Sequence, residues 1–466
     1  MFEILNTVND ALWTYLVIAV LVGCALYFTI RSHGVQFTTF KDMIRITFGL
    51  DTPKQGSNAS KHDKIGSFKA FAVSLSSRVG TGNLAGVASA IFIGGPGAVF
   101  WMWMMALLGS ATAFVEATLA QLYKRRGQDA YYGGPAYYME HGLHRRWMGV
   151  CFAIMITIAL GCGTNLVQSN TMIDSVNSVF GWDKVVIGIV MTVITMLIVF
   201  GGIHRISNFA SLVVPFMAVG FILIALYVVV TNISKLPDVF NLIFTNAFGL
   251  DQAGGGMVGA AISQGMRRGL FSNEAGEGSA PNAAAIASTS HPVKQGLLQA
   301  LGVFVDTLVI CSCTAMIILI SGLYDSGSDG IILTTKALES EIGPIGRYFT
   351  TAAIILFAYS TLIANYYFGE TNIRFACRNR WAVNGFRLLT AAIIMAGAFM
   401  SLQTVWCVVD ILIGVVTVFN CIAISLLSRH VWFLLDDYRR QKREGREPVF
   451  HRSQMPAIEK DLEAWD

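Results

Sequence analysis

Charge is the scarcest ingredient of this 466-residue chain: Asp, Glu, Lys and Arg supply only 13% of it, against about 25% in an ordinary soluble domain. A soluble globule of this size could not cover its surface with so few charges. Neither sign dominates, since the net charge is +4, so there is no basic face for a nucleic acid. With 10 prolines and 8 cysteines, the composition excludes disorder, a collagen-like fibre and a disulfide scaffold. No two cysteines form a CxxC pair; Cys311 and Cys313 read as helix packing, and no zinc site is indicated. Positive charge is also missing ahead of the first apolar run, where MFEILNTVND carries Glu3 and Asp10. That run is therefore read as a retained helix and not a signal peptide. What is abundant is apolar: 54% of the residues are hydrophobic and the mean hydropathy is +0.57. An all-α protein of the bilayer is expected.

A helix needs about 20 apolar residues to cross the roughly 30 Å hydrocarbon core. Runs of that order lie near 11–30, 67–92, 98–123, 147–176, 185–200, 206–231, 258–287, 296–322, 348–372, 382–400 and 405–428, which predicts eleven transmembrane helices. With the N-terminus outside, the pieces 31–66, 124–146, 201–205, 288–295, 373–381 and 429–466 hold 24 Lys and Arg, and the outer pieces hold only Lys184, Lys235, Lys336 and Arg347. Positive loops stay inside, so the C-terminus is placed in the cytoplasm. The chain then divides into an extra N-terminal helix (1–30), a cytoplasmic loop (31–66), a first five-helix repeat (67–231), an outer loop (232–257), an inverted second repeat (258–428) and a basic tail (429–466). Phe37, Phe40, Ile44 and Phe48 recur at helical spacing beside Lys41 and Arg45, the pattern of a helix lying on the inner surface. Phe240, Ile243, Phe244 and Phe248 repeat it outside. RRQKREGR in the tail suits anionic membrane lipid, or serves only to fix topology.

Two runs contain what a plain spanning helix would not. Ser76-Ser77-Arg78-Val79-Gly80-Thr81-Gly82-Asn83 lies midway along the second run, and Phe271-Ser272-Asn273-Glu274-Ala275-Gly276-Glu277-Gly278 along the seventh. Paired glycines weaken a helix by about 1 kcal/mol each, and nearby hydroxyls and amides offer the freed backbone other partners. In lipid such a break is tolerated only where it is buried in protein or lines a wet cavity. One helix runs outward and the other inward, and paired breaks in inverted halves point to a transporter's midplane site. Half-helix N–H groups attract a carboxylate, while freed carbonyls and hydroxyls suit Na⁺. Ionisable groups in the bilayer need partners: Arg78 is expected to pair with Glu274, Glu277 or Asp306, tying the halves together. Glu116 and Glu370 fall near helix ends, where interfacial water suffices, and Arg267 and Arg268 read as snorkelling anchors.

The segments SLSSRVGTGNLAGVA, GGPGAVFWMWMMALLG, LFSNEAGEGSAPNAAA and LFAYSTLIANYYFGE resemble those of the bacterial alanine or glycine:cation symporter family, in the same order and over nearly the whole chain. That resemblance implies eleven helices, the last ten forming the five-plus-five inverted repeat of leucine-transporter-like carriers, in the bacterial inner membrane. It implies that Thr81, Gly82 and Asn83 supply the unwound backbone around a substrate carboxylate, that Gln168 lines the same pocket, and that Phe271, Ser272 and Asn273 face them. For sodium it implies Val79, Asn83, Ser360 and Thr361. Many relatives read GWSYYGE where this chain has Ala364-Asn365-Tyr366-Tyr367-Phe368-Gly369-Glu370. Asn365 in place of that tryptophan leaves a larger and more polar pocket, which puts glycine selectivity in question. The expectation is sodium-coupled import of a small neutral amino acid by alternating access, alanine first, with glycine or serine open. A larger substrate such as glutamine, coupled to sodium or protons, is the alternative. No organic cofactor is expected, and no enzyme: no metal-spaced histidine pair or nucleophile–base set is visible. A channel or receptor is disfavoured by the two inverted breaks, and the oligomeric state is open.

Overall fold

The computed structural model describes residues 2–49, 65–127, 130–199, 202–249, 255–377 and 379–466. Positions 50–64 of the expected cytoplasmic loop and 250–254 of the expected outer loop lie outside the described residues. The chain is almost wholly helical; the only strands among the described residues are the two-residue pair Arg125–Arg126 and Tyr131–Tyr132.

In chain order the helices that position the site are α1 (2–31), α2 (Phe40–Thr47), α3 (Ser67–Arg78), α4 (Gly82–Gly94), α5 (Ala98–Leu122), α6 (Arg146–Phe180), α7 (Lys184–Val199) and α8 (Gly202–Thr231). They continue with α9 (Leu236–Phe248), α10 (Gly255–Asn273), α11 (Ala280–Ala284), α12 (Pro292–Ser321), α13 (Gly330–Ile342), α14 (Ile345–Ala376), α15 (Arg380–Ala396) and α16 (Leu402–Arg443). Among the described residues, seven helices are individually long and apolar enough to cross a membrane. The second and seventh apolar runs fall on the pairs α3–α4 and α10–α11, and the fifth and tenth on the shorter α7 and α15.

Burial sorts the helices. Every residue of α5 from Gly109 to Leu122 is buried, as expected for a helix packed on all sides. In α8 the opposite holds along one stripe: Leu212, Phe216, Val219, Leu223, Leu226 and Val230 are exposed at alternating spacings of four and three. That face would be costly in water and is at home in lipid. The two surface helices form as the spacing of their phenylalanines predicts. Phe37, Phe40, Ile44 and Phe48 stay exposed around α2. In α9, Phe248 lies 5.0 Å from Phe100 and Phe240 lies 6.3 Å from Trp103.

The tail departs from expectation. Helix α16 runs 42 residues, about 63 Å, so its last turns project well beyond a bilayer. Part of the basic run at its end is held within the protein: Arg439 donates to the Ser32 carbonyl at 2.8 Å, Lys442 stands 3.7 Å from Asp42, and Arg440 pairs with Asp437, while Arg440, Arg443 and Arg446 stay exposed. The chain then folds back under α5. The Trp465 indole N–H reaches the carbonyls of Gln121 and Leu122 at 3.1 and 3.2 Å, among the last four of that helix. Those carbonyls have no intrahelical donor, so the tail caps the helix. Phe450 N donates to Ser290 O at 2.9 Å, and Arg125 pairs with Glu463 at 3.0 Å. Trp465 is 6% exposed; its replacement by alanine is expected to cost about 3–5 kcal/mol, lowering the thermal midpoint of the purified protein by several degrees. An unchanged midpoint would show that the tail is not structurally docked.

Candidate functional site

Both interrupted helices are broken in the structure. Helix α3 stops at Arg78, Val79 leaves the helical region with ψ 85°, and α4 resumes with a wide turn over Gly82–Gly86. The Gly80 N–H turns to Asn83 Oδ1 at 2.8 Å, and the Thr81 N–H to Gln168 Oε1 on α6 at 3.1 Å. In an unbroken helix these donors would serve the carbonyls of Ser76 and Ser77. The unwound stretch is shorter than expected, because Gly82 and Asn83 already belong to the next helix and the Asn83 amide closes its first turn.

The freed carbonyls converge on one hydroxyl. Thr361 Oγ1, on α14, lies 2.8 Å from Ser76 O, 3.2 Å from Val79 O and 3.1 Å from Phe357 O. A hydroxyl carries one proton, so it cannot satisfy three carbonyls at once, and this oxygen cluster is suited to a small hard cation. Of the expected sodium residues, the structure brings Val79 and Thr361 together and adds Ser76, which the sequence reading missed. The Ser360 hydroxyl returns to Phe357 O at 2.9 Å, an ordinary helix back-bond. Asn83 turns away from this cluster. Gly80 makes the approach feasible: a methyl there would sit 2.3 Å from Thr361 Oγ1.

At the second break the backbone is left-handed at Glu274, Gly276 and Gly278, with φ of +55°, +91° and +86°. The exposed N–H groups of Gly276 and Gly278 are both taken by the Glu116 carboxylate at 3.2 Å, and Asn420 donates to the same carboxylate at 2.9 Å. Glu116 is fully buried, so the interfacial-water expectation is wrong; its role is to hold the second break to α5. The signal was a carboxylate on an otherwise apolar helix. Glu274 accepts from Ser77 at 2.9 Å and Ser279 at 2.5 Å.

Asp306, in a wide-turn section of α12, joins the two breaks. Its carboxylate accepts from Asn83 Nδ2 at 2.7 Å on one side and Ser272 Oγ at 2.7 Å on the other, with Thr307 Oγ1 at 2.9 Å. Asn273 holds Thr307 Oγ1 at 3.3 Å and caps Ala275 N at 3.0 Å. Gly82 lets the breaks touch, since a Cβ there would lie 3.1 Å from Ser272 Cα. Asn365, one turn beyond Thr361 on α14, is fully buried, and among the described residues neither amide atom has a hydrogen-bond partner.

The charges arrange themselves otherwise than expected. Arg78 forms no ion pair among the described residues: its Nη1 donates to the Gln299 carbonyl at 3.1 Å, and Nε and Nη2 have no partner. Gly302 opens the space that draws the guanidinium towards α12, for a Cβ there would meet Nη1 at 2.2 Å. Glu277 likewise keeps an unpartnered Oε1. Arg267 and Arg268 do not snorkel. Each is 3% exposed; Arg268 pairs with Asp410 at 2.5 Å and lies 4.1 Å over the Trp406 ring, and Arg267 pairs with Asp10 at 2.8 Å. Phe271 packs edge-on against Trp406 at 4.6 Å, so a buried ion pair and two aromatic rings close the site on the side away from the tail.

The model of the sodium:alanine symporter family matches residues 1–452. The chain is 47% identical to a probable sodium/glutamine symporter, GlnT, of Bacillus subtilis, covering 97% of this chain and 93% of the relative. It is 37% identical to the sodium/alanine symporter AgcS of Methanococcus maripaludis, covering 91% and 94%. Among solved structures, MhsT in complex with L-phenylalanine superposes with a TM-score of 0.57 at 14% identity, over 84% of this chain and 91% of that one. That likeness establishes a leucine-transporter-like fold. With the match spanning nearly the whole length, the chain belongs to the sodium:alanine symporter family.

Proposed function

We propose that the protein imports a neutral amino acid together with Na⁺ by alternating access. The observation that carries this reading is the cluster of Ser76 O, Val79 O and Thr361 Oγ1 beside the Thr81 N–H at the start of α4. In this reading the chain crosses the membrane eleven times, with α3–α8 and α10–α16 as inverted five-crossing repeats after α1. The N-terminus lies outside, and the tail-bearing face is cytoplasmic, as the Lys and Arg distribution requires.

Na⁺ enters the oxygen cluster and takes the carbonyls that one hydroxyl cannot serve. The substrate carboxylate replaces Gln168 Oε1 at the Thr81 N–H, where the helix dipole of α4 is positive. Asn83, Asp306 and Ser272 hold the two breaks against one another around it. The Arg268–Asp410 pair with Trp406 seals the outer side. Inward movement of Na⁺ down the membrane potential supplies about 2.3 kcal/mol per 100 mV.

The substrate side chain is read by Asn365. Its buried amide lacks partners, and a buried unsatisfied amide is costly. Glutamine supplies a matching donor and acceptor; alanine leaves both unmet. This observation favours glutamine over the alanine that the sequence alone suggests. Replacing Asn365 by tryptophan is expected to lower glutamine uptake about tenfold or more relative to alanine, measured by competition in proteoliposomes. An unchanged preference would remove Asn365 from the pocket. The same assay, run with and without Na⁺ at fixed pH, tests the transport reading itself; uptake indifferent to Na⁺ would overturn it in favour of proton coupling.

A further inference from the structure

The tail-bearing face holds a chamber of about 810 Å³ that contains none of the residues of the central site. Its floor is α14, where Glu370 follows Asn365 by five residues, about 8 Å along the helix towards that face. Three arginine–carboxylate pairs stand around it: Arg374 with Glu370 at 2.5 Å, Arg146 with Glu140 at 2.6 Å, and Arg125 with Glu463 of the tail at 3.0 Å. Between the pairs runs an aromatic wall, with Tyr137 lying 5.3 Å from Tyr132 and 4.8 Å from Phe375.

The balance of charge selects the occupant. Among the described residues, the formally charged members of the lining are three arginines and three glutamates, and Arg387 stands behind them, 3.9 Å from Glu370. His141 adds no cation near neutral pH, because burial and then the Arg125 charge hold it below its ordinary value. A simple anion or cation that took one member of the Arg146–Glu140 or Arg125–Glu463 pair would strand the other. A zwitterion replaces both at once, its carboxylate meeting arginine and its ammonium meeting glutamate. Two of the arginines stand half in water, Arg374 58% and Arg146 59% exposed, so they exchange partners readily. Glu370 is nonetheless held in place, because the Tyr366 hydroxyl donates to it and Arg387 Nε reaches that hydroxyl at 3.2 Å.

We propose that this chamber is a second docking station for a free zwitterionic amino acid, on the cytoplasmic side of the central site and independent of Na⁺. The orientation and the identity of the ligand rest on the transport reading above. Amino acid released from the centre pauses here, and a filled chamber slows further release as the internal pool rises.

Equilibrium binding of radiolabelled glutamine and alanine to the purified full-length protein in lipid nanodiscs tests it. Two classes are expected, one tight and Na⁺-dependent, one weaker and present without Na⁺. Glu370→Gln and the exposed Arg146→Gln should each weaken the second class about tenfold and leave the first unchanged. A single Na⁺-dependent class in the unaltered protein, a weak class indifferent to both substitutions, or its displacement by acetate or methylammonium as readily as by an amino acid would overturn the proposal. Loss of the Na⁺-dependent class with the weak class intact would sink the transport reading and uphold the chamber.

Discussion

Replacing Gly80 by alanine is expected to lower Na⁺-dependent uptake by about a hundredfold or more, while the protein inserts and keeps its helical content. The added methyl would lie 2.3 Å from Thr361 Oγ1 and 3.1 Å from Gln168 Oε1, inside both contacts that define the first break. Overpacking costs about 1–3 kcal/mol even where neighbours can shift, and about 1.4 kcal/mol is tenfold in rate. Here the neighbours are the ion's and the substrate's own partners. Gly86 supplies the control, since the nearest atoms to its added Cβ stand at 3.8 Å; Gly86→Ala should transport like the unaltered protein. Uptake in proteoliposomes, normalised to incorporated protein, separates the two, and equal activity of both variants would refute the close-approach account.

The second large effect is expected at Thr361. Valine keeps the shape and removes the hydroxyl, leaving Ser76 O and Val79 O without the atom now 2.8 and 3.2 Å away. A lost buried polar partner costs about 1–3 kcal/mol, so the Na⁺ concentration giving half-maximal uptake should rise about tenfold or more. Thr361→Ser should restore most of it. The decisive quantity is the Na⁺ dependence and not the maximal rate: a Thr361→Val variant with unaltered Na⁺ dependence would place the ion elsewhere.

The places where the helices break were legible because glycines, hydroxyls and carboxylates interrupt otherwise apolar runs. Which side chain answers which freed group was not. Glu116 looked like a carboxylate able to reach water, and only the packing of α5 against Gly276 and Gly278 makes it a backbone cap. Arg78 sits beside the glutamates in sequence, yet the clearance at Gly302, more than two hundred positions away, decides where its guanidinium goes. Ser76 carries its contribution on the main chain, so its letter gave no hint. The basic run of the tail gave no hint that Arg439, Arg440 and Lys442 would reach Ser32, Asp437 and Asp42. Periodicity reports which face is apolar; it does not report the partner of a polar group three helices distant.

The two breaks are fastened in different ways. Glu116 grips the second through two peptide N–H groups, and in the proposed cycle no cargo displaces it. The first is held by Gln168 Oε1 and Thr361 Oγ1, the atoms that carboxylate and ion would supplant or join. In the proposed cycle these side chains take over as cargo leaves, keeping bonds at Thr81 N and Ser76 O. A symporter must reset without passengers after each delivery, and in that proposed cycle the substitution would lower the energetic barrier to the homeward leg.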